Sequence, residues 1–166
     1  KFKQNQDKCL MQIVRKAEVD NQAKDEHGVV SMVLVTRDGK QRRRTMETFF
    51  KKGEGEDDSN LLRFRSPPTI RGTALLTREA SDREDDQWVY LPAFKKSKKI
   101  ASNKKTNRFA GTDFTFEDLR TEDYDANTYV KKADATVDDG GKSLACYTVE
   151  STPKNADLSG YSKRMI

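Results

Sequence analysis

The residues able to do chemistry are few and scattered. A lone histidine, His27, precedes Gly28 where a strand is expected to begin. An imidazole there has no second group at a spacing suited to acid–base work or metal ligation, and it reads as a turn residue. Acids cluster at Asp57-Asp58, at 82–86 and at Asp138-Asp139. Each cluster falls in a turn-like stretch where Asp bonds nearby backbone, and none has the calcium-loop spacing. Cys9 and Cys146 are too few for a disulfide framework and too isolated for a zinc site. They read as packed free thiols, the alternative being one bridge in an oxidising compartment. There is no G-x-S-x-G, Walker A or G-x-G-x-x-G motif, and Gly53-Glu54-Gly55 lacks the following helix that phosphate binding needs. The expectation is a chain with no catalytic residue, no metal and no cofactor.

Two basic runs stand out: Arg42-Arg43-Arg44 and Lys95-Lys96-Ser97-Lys98-Lys99. With a net charge of +5 they favour anionic partners, of which nucleic acid, lipid headgroups and an acidic protein are three kinds. No RRM, KH or helix-turn-helix pattern accompanies them, so specific nucleic-acid binding is not expected. Charged strand residues also project into solvent and discourage edge pairing.

The apolar residues carry a sharper expectation. Segment 28–37 (GVVSMVLVTR) is apolar on both alternating faces, which predicts a strand covered on both sides. Phe49-Phe50 and Leu61-Leu62 are adjacent pairs, and Trp88 and Tyr90 share a face. Size and alternation along each strand select Met32, Leu34, Met46, Phe50, Leu62, Phe64, Leu76, Trp88 and Tyr90 as lining for an apolar pocket able to hold acyl chains. Against that stands an ordinary sandwich core with no ligand, which periodicity alone does not separate from a pocket.

The elements that position these residues follow from period and turn chemistry. Segment 7–19 (DKCLMQIVRKAEV) sets Leu10, Ile13, Val14 and Ala17 on one helical face, with Asp7 as its cap, and predicts an amphipathic helix packed on a sheet. Strands are expected at 29–37, 42–50, 61–65, 73–78, 87–91 and 95–100. The first hairpin turns at Asp38-Gly39, and Pro67-Pro68 halts the third strand. Brief turns between regularly spaced strands indicate an antiparallel meander. A short helix is predicted at 114–119 with Asp113 as its cap, a hairpin of 128–137 with 143–151 across 138–141, and the start of a strand at 161–166. Only 34% of residues are hydrophobic against 36% charged, so the core must be economical. The apolar residues nevertheless concentrate in runs, and 166 residues without a linker suggest one folded domain, 1–166. No apolar run is long enough to span a bilayer as a helix.

Segment 86–119 (DQWVYLPAFKKSKKIASNKKTNRFAGTDFTFEDL) resembles the LolA-like outer-membrane lipoprotein-sorting proteins in its progression W-x-Y-L-P-A, basic strand and G-x-D-F-x-x-E-D-L. The resemblance is most specific from Leu61 to Leu119. It implies a mainly β (α+β) fold: a curved antiparallel sheet forming an unclosed half-barrel covered by helices. It also implies a periplasmic, non-catalytic carrier that shields acyl chains of a lipoprotein or lipid in transit toward the outer membrane. An inner-membrane transporter or an outer-membrane acceptor would be its partner. The alternative is a non-catalytic periplasmic adaptor for a membrane transporter or envelope protein. The chain opens at Lys1 with neither an initiator Met nor an apolar targeting stretch, so the expectation is either a removed signal peptide or a trimmed sequence. By the resemblance, further strands are expected after Ile166.

Overall fold

The structure, a computed structural model, describes Leu10 and residues 23–53, 57–80, 83–120 and 124–166. These fall into two compact units, one within Ala23–Thr121 and the other within Glu122–Ile166. The chain is mainly β, and its sheets are antiparallel and unclosed. Of the predicted helix 7–19, Leu10 is helical and the remaining residues lie outside those described.

The first unit is a six-stranded meander: β1 (Asp25–Val35), β2 (Gln41–Lys51), β3 (Ser59–Ser66), β4 (Ala74–Arg78), β5 (Asp86–Leu91) and β6 (Lys96–Lys99), hydrogen-bonded in that order. Each strand reproduces a predicted one with shifted ends. The first hairpin closes through Asp38-Gly39, where Gly39 takes φ 78° and Thr36 N–H donates to the Lys40 carbonyl at 2.9 Å. A positive φ at that turn costs Gly nothing sterically. Pro67 and Pro68 end β3, and the chain re-enters the sheet after Gly72 at φ 81°. Gly72 suits that positive φ, and a Cβ there would also stand 3.2 Å from Pro92 Cγ in the turn joining β5 to β6, closer than an ordinary contact.

Among the described residues, segment 28–37 is not covered on both sides as its pattern predicts. Val29 is 60% and Val35 62% exposed, with Val30 and Val33 also open. The strand lies at the edge of the sheet, paired with β2 among the described residues, and of its side chains Met32 packs against the core cluster.

The core of this unit is Met46, Phe64, Leu75 and Phe109, with Met32, Leu62, Ile70, Val89, Ala110, Phe116 and Leu119 packed around it. Burying side chains of this size stabilises by about 1.5–3 kcal/mol each. The predicted helix at 114–119 is a single 3₁₀ turn, Glu117–Leu119. Asp113 does not cap it. That side chain is exposed and pairs with Arg108 at 3.1 Å, while Asp118 closes the turn by accepting from Thr115 N–H at 2.7 Å.

In the second unit, β7 (Asn127–Lys131) pairs with β10 (Val149–Pro153), and β8 (Ala135–Asp139) pairs with β9 (Lys142–Cys146) around Gly140-Gly141. The predicted hairpin is therefore present, with each long strand interrupted. Here β11 (Arg164–Met165) joins β10, and Tyr129 and Val149 are buried. Cys146 is a free thiol, and Cys9 lies outside the described residues.

Candidate functional site

Residues directly opposite in an antiparallel ladder point to the same face, and successive residues alternate. The registers Met32↔Arg44, Val30↔Met46, Met46↔Phe64, Thr48↔Leu62, Leu62↔Leu75 and Leu75↔Val89 trace one face of the meander. The registers Val29↔Glu47, Phe49↔Leu61, Leu61↔Leu76, Leu76↔Trp88 and Ala74↔Tyr90 trace the other.

The expected lining set divides between them. Met32, Leu34, Met46, Phe50, Leu62 and Phe64 share the first face, while Leu76, Trp88 and Tyr90 project from the second. Alternation within one strand is legible in sequence, but the phase between β3 and β4 depends on how the Pro67-Pro68 turn sets the register. On β4 and β5 the first face carries Leu75, Thr77, Gln87 and Val89 instead.

A strap formed by residues 105–119 covers the middle of this first face. Phe109 stacks on Phe64 with ring centres 5.7 Å apart, and Phe116 meets Phe109 edge-on at 5.5 Å. Three side chains of the sheet fasten the strap by its backbone carbonyls. Arg44 Nη1 donates to Ala110 O at 2.6 Å, Gln87 Nε2 to Phe116 O at 2.9 Å, and Thr77 Oγ1 to Leu119 O at 3.3 Å. Ala110 sits at φ 50°, a left-handed conformation that few residues other than Gly adopt. The Arg44 bond to its carbonyl and the packing of its side chain hold it there. Gln87 is fully buried, and its Oε1 has no hydrogen-bond partner among the described residues. Met46 and Phe64 are thus sealed by the chain's own aromatics, whereas Val30, Met32 and Leu34 on β1 are open or half-buried.

The second face is organised by charge. Glu47 is 4% exposed, and its carboxylate accepts from Arg63 Nη2 at 2.8 Å and pairs with Arg65 Nη2 at 2.9 Å. His27 lies within β1 and not in a turn. It stacks on Phe49 at 4.6 Å, with Nε2 3.6 Å from Glu47 Oε1. The Arg63 hydrogen bond, with the fields of Arg65 and Arg63, holds the Glu47 carboxyl below the ordinary glutamate range against the opposing cost of burial. Farther along, Lys99 lies over the Trp88 ring at 5.6 Å and pairs with Asp86, which Arg83 also contacts at 2.8 Å. Those partners, Lys99 first, hold Asp86 below the usual carboxylate range. Sequence reasoning missed this network because its members come from different strands. The one available signal is Glu47, an isolated acid between Met46 and Phe49-Phe50.

Among the described residues no cluster of His, Cys, Asp and Glu is arranged to hold a metal ion, and no helix is long and apolar enough to cross a membrane.

A family model described as an uncharacterized protein matches residues 56–166, more than half of the chain. A solved putative outer-membrane lipoprotein-sorting protein domain from Vibrio parahaemolyticus is 27% identical, with a TM-score of 0.80 over 94% of this chain and 64% of that one. A DUF1329 family protein from Desulfovibrio piger is also 27% identical, with a TM-score of 0.81 over 96% of this chain and 66% of that one. A LolA superfamily protein from Nitrosomonas europaea shares the fold at 18% identity, with a TM-score of 0.60 over 92% and 62% of the two chains. The chain therefore spans somewhat less than two thirds of the length of these structures. No curated protein matches it.

Proposed function

The chain belongs to the LolA-like outer-membrane lipoprotein-sorting family, and we propose that it is a periplasmic carrier that shields acyl chains during transfer between membranes. Each methylene of an acyl chain costs about 0.8 kcal/mol to expose to water, so transit through an aqueous space needs an apolar shelter. The observation that carries the reading is the likeness to a lipoprotein-sorting domain, at 27% identity over 94% of the chain. In this reading the chain is a single domain whose sheet curves into an unclosed half-barrel. An inner-membrane transporter and an outer-membrane acceptor are the partners at either end of the journey, and the chain itself carries out no catalysis.

The acyl chains lie along the first face on its β1–β2 side, against Met32, Leu34, Phe50 and Leu62. Met46 and Phe64 form the floor beneath the strap. Support comes from the residual exposure of β1, where Val30 and its neighbours have no aromatic cover from the strap. A chain held there does not reach Leu76, Trp88 and Tyr90, which face the other way under Lys99 and Asp86.

The test begins with lipid extraction and mass spectrometry of the full-length protein purified from a bacterial periplasm, followed by titration with a fluorescent fatty-acyl probe. Saturable binding is expected. Leu34→Asp should weaken it about 10-fold or more, because a carboxylate beside an acyl chain loses its hydration. Tyr90→Asp, on the opposite face, should leave it unchanged. A folded protein with neither co-purified lipid nor probe binding overturns the carrier reading, and equal losses from the two variants overturn the choice of face.

A further inference from the structure

We propose that one end of the six-stranded meander, built from the turns 36–40, 67–73 and 92–95, is a docking surface for an anionic phospholipid bilayer. In a meander, alternate turns emerge at the same end of the sheet. The registers Val35↔Gln41, Arg63↔Ala74 and Leu91↔Lys96 put these three together. The approach of Gly72 to Pro92 shows that the second and third of them abut. Strands about 4.8 Å apart set the outer two turns roughly 20 Å from each other, a footprint of several lipid headgroups.

Charge is sorted along the strands. At this end Arg37, Lys40, Arg42, Arg71, Lys95 and Lys96 are all exposed. Between 36–44, 65–73 and 91–98 the sole acid is Asp38, which is paired with Lys40 at 2.7 Å. In the strap, Arg108 and Asp113, which flank the Ala110 held by Arg44, pair with each other. The opposite end carries Asp25, Glu26, Asp57, Asp58, Glu84 and Asp86, with cations interspersed.

At the tip of the third turn stands Phe94, 70% exposed and followed by Lys95 and Lys96. Pro92 fixes the start of that 3₁₀ turn, and Lys95 closes it at φ 49° with its N–H donating to the Pro92 carbonyl at 3.1 Å. An aromatic ring presented from a rigid turn and flanked by cations fits the bilayer interface. The ring enters the headgroup–acyl boundary while lysines meet phosphates. A soluble acidic protein would use the cations but would give an isolated, protruding Phe no apolar layer to enter. The basic end then gives an acyl carrier a side from which to meet a membrane. The two readings can fail separately, because vesicle binding needs no bound cargo and acyl-probe binding needs no vesicle.

The test is flotation of the full-length protein with vesicles of phosphatidylglycerol mixed into phosphatidylcholine, compared with phosphatidylcholine alone. Binding is expected to the mixed vesicles only, and to weaken as salt rises. Lys95→Gln with Lys96→Gln should weaken it roughly 30-fold, at roughly 5-fold per cation removed. The same charge change at the opposite end, Lys51→Gln with Lys52→Gln, should leave it unchanged. Phe94→Ser should cost about 10-fold through lost apolar burial. In Phe94→Trp, vesicles should shift the emission to the blue, with no shift in the wild type, whose sole tryptophan is Trp88. Equal losses from the two lysine pairs overturn the proposal. So does binding to heparin or an acidic polypeptide that matches vesicle binding and is indifferent to Phe94.

Discussion

Met46 and Glu47 are neighbours in β2, and each is 4% exposed, yet they are buried by different physics on opposite faces of one sheet. Met46 lies with Phe64 and Leu75 beneath Phe109. Glu47 lies beneath Arg63 and Arg65, whose side chains remain about half exposed. Burial on the first face comes from excluding water from apolar area, which neither pH nor salt alters much. On the second it depends on a carboxylate staying ionised beside its partners, which both pH and salt alter. Low exposure therefore does not identify the apolar interior of this sheet; the chemistry of the covering residues does.

The largest difference between the faces should appear on removing an aromatic from each. Phe64→Ala opens a cavity under Phe109 and should lower stability by about 3–5 kcal/mol in urea unfolding. Phe49, half-buried on the second face, keeps company with His27 and with Arg63, whose guanidinium lies 5.8 Å from the ring centre. Phe49→Ala should cost about 1–2 kcal/mol, since less area leaves water and an exposed cation–π contact contributes modestly. Equal costs would mean that the strap does not seal the first face.

The second effect concerns the strap itself. Arg44→Ala removes the guanidinium that holds the Ala110 carbonyl and lies over Phe64 at 5.7 Å. A charge-assisted hydrogen bond of this kind contributes about 1.5–3 kcal/mol. The loss should be local: amide hydrogen exchange at Phe109 and Thr112, whose N–H groups bond within the strap, should quicken more than exchange in β3 or β4. Uniform quickening would show that strap and sheet open as one unit.

Much of this arrangement can be read from the chain. Period-2 runs, Asp38-Gly39 and Pro67-Pro68 give six strands in meander order, because hairpin turns and strand alternation are local properties. The face on which each strand lays its side chains is not local. Leu62 and Leu76 look equivalent as alternating apolar positions, but the pairing Leu61↔Leu76 sends them to opposite sides. Phe109 and Phe116 lie in a stretch without helical or strand periodicity, so their spacing does not mark them as the cover of a sheet. Their place becomes visible only with Gln87 and Arg44, whose polar side chains bind the strap's carbonyls.

The third effect separates the faces by pH. Glu47 titrates below its ordinary range because Arg63 donates to it and because Arg65 and Arg63 lie close. A group with a lowered folded-state value adds stability above its unfolded value and loses it as pH falls through the folded one. Glu47→Gln should therefore lower the urea midpoint most near neutral pH, and the gap from wild type should close as pH drops below the ordinary glutamate range. Asp86 and Asp38, also lowered, supply an acid-sensitive part that both proteins share. Phe64→Ala, acting on the apolar face, should show a deficit that pH does not close. A pH-independent Glu47→Gln deficit would place the origin of its effect in packing and not in charge.

The smallest effect is the most local. Lys99 lies over Trp88 on the second face and is exposed. Lys99→Met keeps an unbranched side chain beside the indole while removing the charge. An exposed cation–π contact contributes about 0.5–1 kcal/mol, and Asp86 retains Arg83 as a partner, so stability should fall by no more than that. The optical consequence should be clearer than the energetic one. Trp88 is the sole tryptophan, and a cation fixed over its ring perturbs the indole's excited state. Lys99→Met should shift the emission at unchanged secondary structure, whereas Arg44→Ala, which acts across the sheet on the strap, should leave it in place. If Arg44→Ala moves the Trp88 emission as far as Lys99→Met does, the two faces communicate through β5, and treating them as independent surfaces is wrong.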